Sequence, residues 1–136
     1  MLNFPPKKGT ILCCDFSKGF QAPELVKLRP VVVITPQLPG RPGLCTIVPL
    51  STVEPSPFQA YHHKMDSHFL PPKLQKSDCW AKCDMIYTVS LERLDRIRDK
   101  NDKGERCYLT GKATVEDLAS IELAILNGLG LRKFIP

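Results

Sequence analysis

Arg29 is the residue whose type and position in this sequence most directly suggest chemistry. It stands just before residues 31–34, a run of β-branched apolar residues that has Pro30 on one side and Pro36 on the other. Such a run predicts a strand buried on both faces, because proline is excluded from the middle of a central strand. A guanidinium held at the end of a rigid strand presents a planar set of donors that matches phosphate oxygens. Phosphate recognition is therefore one hypothesis for Arg29, and a salt bridge to Glu24 is the alternative.

The cysteines and histidines suggest two further kinds of chemistry, metal binding and proton transfer. The six cysteines match neither zinc-ribbon nor CxxC spacing. Cys79 and Cys83 could be combined with His62 and His63 into a metal site, but buried small hydrophobic residues are the favoured interpretation of most cysteines. We therefore predict no metal site and no cofactor. Histidine titrates near neutrality, so His62, His63 or His68 could accept a proton, although structural or surface roles are favoured for all three.

Composition places the chain among ordinary soluble globular proteins. Its 136 residues suffice for one domain, and 43% of them are apolar and 24% charged. The formal net charge of +5 mildly favours polyanionic partners. No apolar run approaches the ~18 residues of a membrane span, and Pro5, Pro6, Lys7 and Lys8 stand where a signal peptide would be apolar. We therefore expect a cytoplasmic protein without membrane association, in which the cysteines are reduced.

The elements that must position Arg29 are predicted to be mostly strands. Patterns of β-branched and apolar residues predict strands over 9–16, 31–34, 44–50 and 80–89. Pro49 inside the third of these predicts an edge position, a bulge or the end of the strand. The segment 53–76 is rich in proline and irregular in pattern, so we predict no long element there.

The C-terminal third is predicted to contain a turn, a hairpin and a helix. Ser90 is a candidate cap for a short turn, and residues 96–110 are typical of a charged hairpin folded at 101–104. Thr114 is a candidate N-cap for a helix that ends at Gly128. Its first turn is acidic and its apolar residues recur at helical spacing: Glu116 and Asp117, then Val115, Leu118, Ile121 and Ile125. Strands followed by one helix predict a mainly β (α+β) fold, a strongly bent antiparallel sheet or barrel with a helix packed on it.

Four stretches of the sequence, taken in order, carry a recognisable pattern. They are Gly-Thr-Ile-Leu-Cys-Cys-Asp-Phe at 9–16, Lys-Leu-Arg-Pro-Val-Val-Val-Ile-Thr-Pro at 27–36, Thr-Ile-Val-Pro-Leu-Ser-Thr at 46–52 and Asp-Met-Ile-Tyr-Thr-Val-Ser-Leu-Glu-Arg-Leu at 84–94. Together with the closing helix they resemble the PemK/MazF family of small bacterial endoribonuclease toxins, over residues 9–131 of a single domain 1–136. The resemblance implies a small SH3-like β-barrel of the CcdB/PemK/MazF type with a C-terminal helix. It also implies homodimerisation and metal-independent cleavage of single-stranded RNA.

The resemblance further implies which residues form the site. Arg29 falls on the family's catalytic arginine. Ser51 falls on its catalytic hydroxyl residue, usually threonine, and Thr52 is the adjacent alternative. Four residues are expected to contact RNA. Glu24 matches an acidic position before the arginine, and Asp84 lies near a polar position at the start of a late strand. Lys18 and Lys27 carry the positive charge around the first loop.

The chemistry that the resemblance implies needs no cofactor. RNA is cut when its own 2′-OH attacks the adjacent phosphorus, and Arg29 suits stabilisation of the charge that then develops. Ser51 can donate a hydrogen bond to a non-bridging oxygen. Neither residue is a good general base, so the sequence leaves that role unassigned. Aromatic residues that could stack on splayed bases, or simply pack, are Phe20, Phe58, Tyr61 and Phe69.

Two classes of function fit these features. The first is the toxin endoribonuclease of a type II toxin–antitoxin system. The alternative is a non-catalytic or degenerate PemK-like or CcdB-like protein that binds RNA or a protein such as a topoisomerase. The presence of both Arg29 and Ser51 favours the enzyme. Expected partners are single-stranded RNA, a second copy of the chain, and a cognate antitoxin whose acidic segment lies across the groove of Lys18, Lys27 and Arg29.

Overall fold

The computed structural model describes residues 2, 4–35 and 38–136 of the chain. Pro36, the proline expected to close the second predicted strand, lies outside these residues. The strands are β1 (Thr10–Asp15), β2 (Leu28–Val33), β3 (Leu44–Ser51), β4 (His62–Lys64), β5 (Trp80–Lys82), β6 (Tyr87–Ser90), β7 (Leu94–Asp95), β8 (Ile97–Lys100), β9 (Arg106–Leu109) and β10 (Gly111–Lys112). The described part contains one α-helix, α1 (Val115–Gly128), and short 3₁₀ turns at Ser67–Phe69, Pro72–Leu74, Leu91–Arg93 and Arg132–Phe134. None of its helices is long and apolar enough to cross a membrane.

The strands form a curled antiparallel sheet, a half-barrel, with one separate hairpin. The order across the sheet is β10-β1-β2-β3-β5-β4, with β6 also paired to β3 and β7 also paired to β1. Strands β8 and β9 form the hairpin that the sequence predicts. The predicted mainly β fold with a C-terminal helix is therefore confirmed.

Two hydrophobic clusters lie on opposite faces of this sheet. Val31 and Val33 belong to the cluster that includes Phe16, whereas Val32 belongs to the cluster that includes Ile121 of α1. All three valines have no exposed surface, so the prediction of a strand buried on both faces is confirmed. At about 25 cal/mol per Å² of apolar surface removed from water, this double-sided burial stabilises β2, the strand that carries Arg29. Arg29 therefore has a rigid support.

The prolines do not bound the strands as the sequence predicts. Pro30 lies inside β2, paired with Cys13 of β1, but the ladder from β2 to β3 begins only at Val31. Pro30 therefore does not interrupt a ladder on its β3 side, where its missing N–H would matter. Pro49 lies where β3 changes partner, since β3 pairs with β6 up to Ile47 and with β5 from Leu50 onward.

One other prediction of secondary structure is wrong. The single strand predicted over 80–89 is two strands, β5 and β6, separated by a turn at 83–86. The proline-rich segment 53–76 contains no long element, as predicted, but its short strand β4 was not foreseen. Strands of three residues are too short for a period of two to be recognised in the sequence. The omission of β4 matters for the site described below.

Helix α1 begins and ends where the sequence predicts. The Thr114 side chain accepts a hydrogen bond from the amide of Asp117 at 3.0 Å, and Gly128 is the last helical residue. The predicted apolar face is wrong at its first position, because Val115 is 80% exposed. Asp117 is buried instead, since its carboxylate binds partners in and after β4.

Candidate active site

Arg29 and Ser51 lie on neighbouring strands. Val31 of β2 pairs with Pro49 of β3, and extending this antiparallel register by two residues places Arg29 opposite Ser51. Each is two residues from a paired position, and strand side chains alternate between faces, so both project from the face of Val31. Adjacent strands are separated by about 4.8 Å. The strand register thus places the two residues predicted as catalytic on one face of the sheet, on neighbouring strands.

The guanidinium of Arg29 has a buried donor without a partner. Its Nε atom is buried and has no hydrogen-bond acceptor among the described residues. The salt bridge to Glu24, the alternative that the sequence left open, is absent from the described part of the chain. Glu24 instead accepts a hydrogen bond from the amide of Gln21 at 3.1 Å. Such an unpaired buried donor costs ~1–3 kcal/mol, a cost that an incoming oxygen would remove.

Ser51 is oriented by its own turn. Its side chain is buried, and its Oγ accepts a hydrogen bond from the amide of Val53 at 3.1 Å. Because Oγ acts as the acceptor in this bond, the hydroxyl hydrogen is still available to donate to a ligand. Thr52, the alternative hydroxyl residue, is exposed in the turn that follows β3.

The face that carries Arg29 and Ser51 continues across β5 and β4. Ser51 pairs with Trp80, and Trp80 pairs with Lys64, so these three form one row on this face. Two residues along the same strands, Lys82 pairs with His62, and both project from the same face. The sequence pattern does not indicate this extension of the face, because β4 has only three residues.

The loop between β1 and β2 brings further charge towards this end of β2. Lys18, Glu24 and Lys27, predicted to contact RNA, are all exposed in or beside it. Arg93, which no sequence pattern singled out, fixes this loop. Its Nη1 donates to the carbonyl of Lys18 at 2.7 Å and to that of Asp15 at 3.1 Å. Its guanidinium also stacks on the Phe20 ring, 4.7 Å from the centroid.

Comparison with known proteins identifies the family. The model of the PemK-like, MazF-like toxins of type II toxin–antitoxin systems matches residues 7–125. The chain belongs to this family. The Escherichia coli K12 protein YifN is 31% identical over 98% of both chains. Family membership confirms the resemblance seen in the sequence.

Solved structures show the same PemK/MazF fold. MazF from Deinococcus radiodurans superposes with a TM-score of 0.66 and 16% identity, over 94% of this chain and 99% of that one. A mycobacterial endoribonuclease solved in complex with its cognate antitoxin gives a TM-score of 0.60 at 19% identity, covering 93% and 96% of the two chains. At these identities the likeness concerns the fold.

Asp84 of this PemK/MazF fold lies outside the strands that carry Arg29 and Ser51. It is exposed in the turn between β5 and β6. Its backbone packs against the end of α1, since a Cβ added to Gly128 would lie 2.9 Å from the Asp84 Cα. Helix α1 covers the face of the sheet opposite to Arg29. The predicted contact of Asp84 with RNA stays a prediction.

The histidines have separate environments. His63 projects to the helix side, where its Nε2 lies 2.7 Å from the Asp117 carboxylate. His68 is exposed and bonds Asp66 at 3.1 Å. His62 accepts a hydrogen bond at Nδ1 from the Gln59 amide at 3.0 Å, and burial lowers its pKa. His63 is therefore structural, and His62 is the one on the Arg29 face.

The cysteines are free thiols, and four of the six are buried. Two of these are Cys79 and Cys83, where burial raises the pKa of Cys79 to about 11 and that of Cys83 to about 12. The described residues hold no group of three or more His, Cys, Asp or Glu arranged around a common point for a metal ion.

Proposed function

We propose that this chain is the toxin of a toxin–antitoxin pair and that it cuts single-stranded RNA by attack of the RNA's own 2′-OH, without a metal ion. The observation that carries the proposal is the buried Nε of Arg29, which has no partner among the described residues and lies on the strand next to that of Ser51. Buried polar atoms without a protein partner are rare in native proteins, and a ligand oxygen is one partner that would satisfy this one. A phosphodiester supplies the oxygens that match it.

The reaction assigns a distinct task to each of the two residues. The 2′-oxygen attacks phosphorus and loses its proton, and the bond to the 5′-oxygen breaks as that oxygen gains a proton. Arg29 donates to the oxygens whose negative charge grows in the phosphorane, which is often the largest catalytic contribution. Ser51, held by the Val53 amide, donates its hydroxyl hydrogen to a non-bridging oxygen. Thr52 is a second hydroxyl in the same turn.

The surrounding charges favour an extended polyanion. Lys18 and Lys27 are exposed at the loop beside β2, and Lys82 projects from the Arg29 face. Such separated cations attract successive phosphates of one strand, an interaction that weakens as salt rises. Glu24 and Asp84 are expected to contact bases or sugars in the same complex.

Two protein partners are expected at the surface that carries Arg29, namely a second copy of the chain and an antitoxin. We expect a homodimer with the Arg29 faces near the two-fold axis, which light scattering at tens of micromolar would test directly. We expect the antitoxin to lay an acidic segment across Lys18, Lys27 and Arg29. Its affinity should fall as salt rises from low to moderate concentration, and a tight complex insensitive to salt would contradict this arrangement.

The function is tested with purified protein and a long single-stranded RNA in the presence of a chelator. New ends bearing a cyclic or 3′-phosphate on one side and a 5′-hydroxyl on the other are expected. A matched substrate with 2′-deoxyribose at the mapped site should not be cut. Binding without any cleavage would identify the chain as the non-catalytic alternative, and cleavage of the deoxy substrate would refute attack by the 2′-OH.

A further inference from the structure

A cleft lies in the segment that follows β3, the strand that ends at Ser51. It has a volume of about 480 Å³ and is lined by residues of 53–62 together with Lys82. The first of these residues, Val53, is the one whose amide holds Ser51. The cleft and the candidate active site therefore share one turn of the chain.

The register of the sheet gives the separation between the two. His62 lies two strands from Ser51 and two residues along, on the same face. Strand spacings of about 4.8 Å and residue rises of about 3.4 Å put these backbone positions about 12 Å apart. Stacked nucleotides rise about 3.4 Å each along a strand, so about three or four nucleotides cover this distance.

The wall of the cleft is aromatic and has a defined donor. Two rings line the cleft, those of Tyr61 and His62, with centroids 4.6 Å apart. Phe58, outside the lining, packs on His62 at 5.8 Å. Because Nδ1 accepts the amide hydrogen of Gln59, the ring proton is on Nε2. Burial lowers the pKa of His62, an effect that Lys82 adds to and that Asp84 opposes. The ring is therefore neutral near pH 7 and offers a single N–H donor.

We infer that this cleft binds a nucleobase of the RNA strand whose phosphodiester lies at Arg29 and Ser51, with Lys82 holding a neighbouring phosphate. Aromatic rings beside a cation are what single-strand binding requires, because every base has a face that can stack. Glu54, which also lines the cleft, can accept hydrogen bonds from an exocyclic amino group of the base. The inference rests on the proposed function for the identity of the strand, but its test does not need cleavage.

The test measures binding of a strand that cannot be cut by 2′-OH attack. A fluorescent 12-mer of mixed sequence, with 2′-fluoro in place of every 2′-OH, is titrated with wild-type protein and variants. His62→Ala and Lys82→Ala should each weaken binding roughly tenfold. The control is Lys112→Ala, which removes an exposed lysine from β10 at the opposite end of the sheet and should change affinity less than twofold. His62→Phe keeps a ring without the donor and should lose less than the alanine variant.

Cleavage of natural RNA by the same proteins separates this inference from the proposed function. Loss of binding in the His62 and Lys82 variants, with no cleavage by any protein, supports the cleft and refutes the nuclease. Cleavage by the wild type, with His62 and Lys82 variants that bind and cut as it does, overturns the cleft and leaves the nuclease standing. Melting curves identify any variant that does not fold. If His62→Ala does not fold, the RNA affinity of His62→Phe tests position 62 in its place.

Discussion

Replacing Arg29 should separate activity from stability in a way that a structural arginine would not. In Arg29→Lys the charge is kept but the planar fork is lost, and in Arg29→Met the charge is lost as well. Both changes remove the buried Nε that has no partner. Both also keep an unbranched stem that can follow the path of the original side chain beside Cys14, the cross-strand neighbour of Arg29.

The expected changes in the free energy of unfolding and in the cleavage rate follow from the burial and the donor role of Arg29. An unpaired buried donor costs ~1–3 kcal/mol, so removing it should leave the free energy of unfolding unchanged or raise it by up to that amount. At about 3 °C per kcal/mol for a chain of this size, the melting temperature should stay level or rise by up to about 9 °C. The cleavage rate should fall by ~10²–10³, because a donor aimed at the developing charge is lost in both variants.

The assay combines melting curves with initial rates on one RNA at matched protein concentration. Arg106→Lys is the control, because Arg106 is exposed on the hairpin strand β9 and should affect neither quantity. A structural role for Arg29 predicts the opposite pattern. If both Arg29 variants melt earlier and cleavage falls only in proportion to the folded fraction, the assignment of Arg29 to phosphate is refuted.

Four further outcomes follow from named contacts. Ser51→Ala should cut RNA at least tenfold more slowly than the wild type, with little change in RNA affinity, whereas Ser51→Thr should stay active. Equal cleavage rates for Ser51→Ala and the wild type would remove Ser51 from the mechanism. Asp117→Asn should lower the free energy of unfolding by ~1.5–3 kcal/mol in urea titrations, because it weakens the 2.7 Å contact with His63; an unchanged midpoint would contradict this. Gly128→Ala should also lower the thermal midpoint, since its Cβ would lie 2.9 Å from backbone, and a stabilised variant would show that this turn relaxes freely. Iodoacetamide at pH 8 should modify half-buried Cys107 before the buried thiols, which are Cys14, Cys45, Cys79 and Cys83. Peptide mass spectrometry measures the order of labelling, and early labelling of these four would contradict their burial in the core.

The sequence predicted the parts of the fold that local patterns determine. Strands β1, β2 and β3 follow from β-branched runs, and α1 follows from Thr114 and Gly128 at its ends. What it missed depends on contacts between distant residues. Strand β4 has only three residues, and its place is defined by pairing with β5 and by the bond from His63 to Asp117. No local pattern contains that information.

The candidate site was predicted unevenly for the same reason. Arg29 and Ser51 came from the family resemblance, and their position opposite one another rests on a sheet register that no single strand encodes. The ion pair with Glu24 was a reasonable alternative by charge, but the Glu24 carboxylate binds the nearby Gln21 amide instead. Arg93 was missed because its partners are backbone carbonyls, which leave no mark in the sequence.

The attachment of the segment after β3 has a consequence for how the protein can change. Residues His63 and Asp66 are tied to the Asp117 carboxylate, on the far side of the sheet from Arg29. This anchor holds β4, which is joined to Ser51 through β5, and the Val53 amide holds the other end of the segment. Exposed cleft residues between these ends, such as Glu54 and Gln59, can therefore change while His63, Asp117 and Val53 keep their contacts. Under the proposed function, such changes would alter which RNA sequence is bound and leave Arg29 and Ser51 in place.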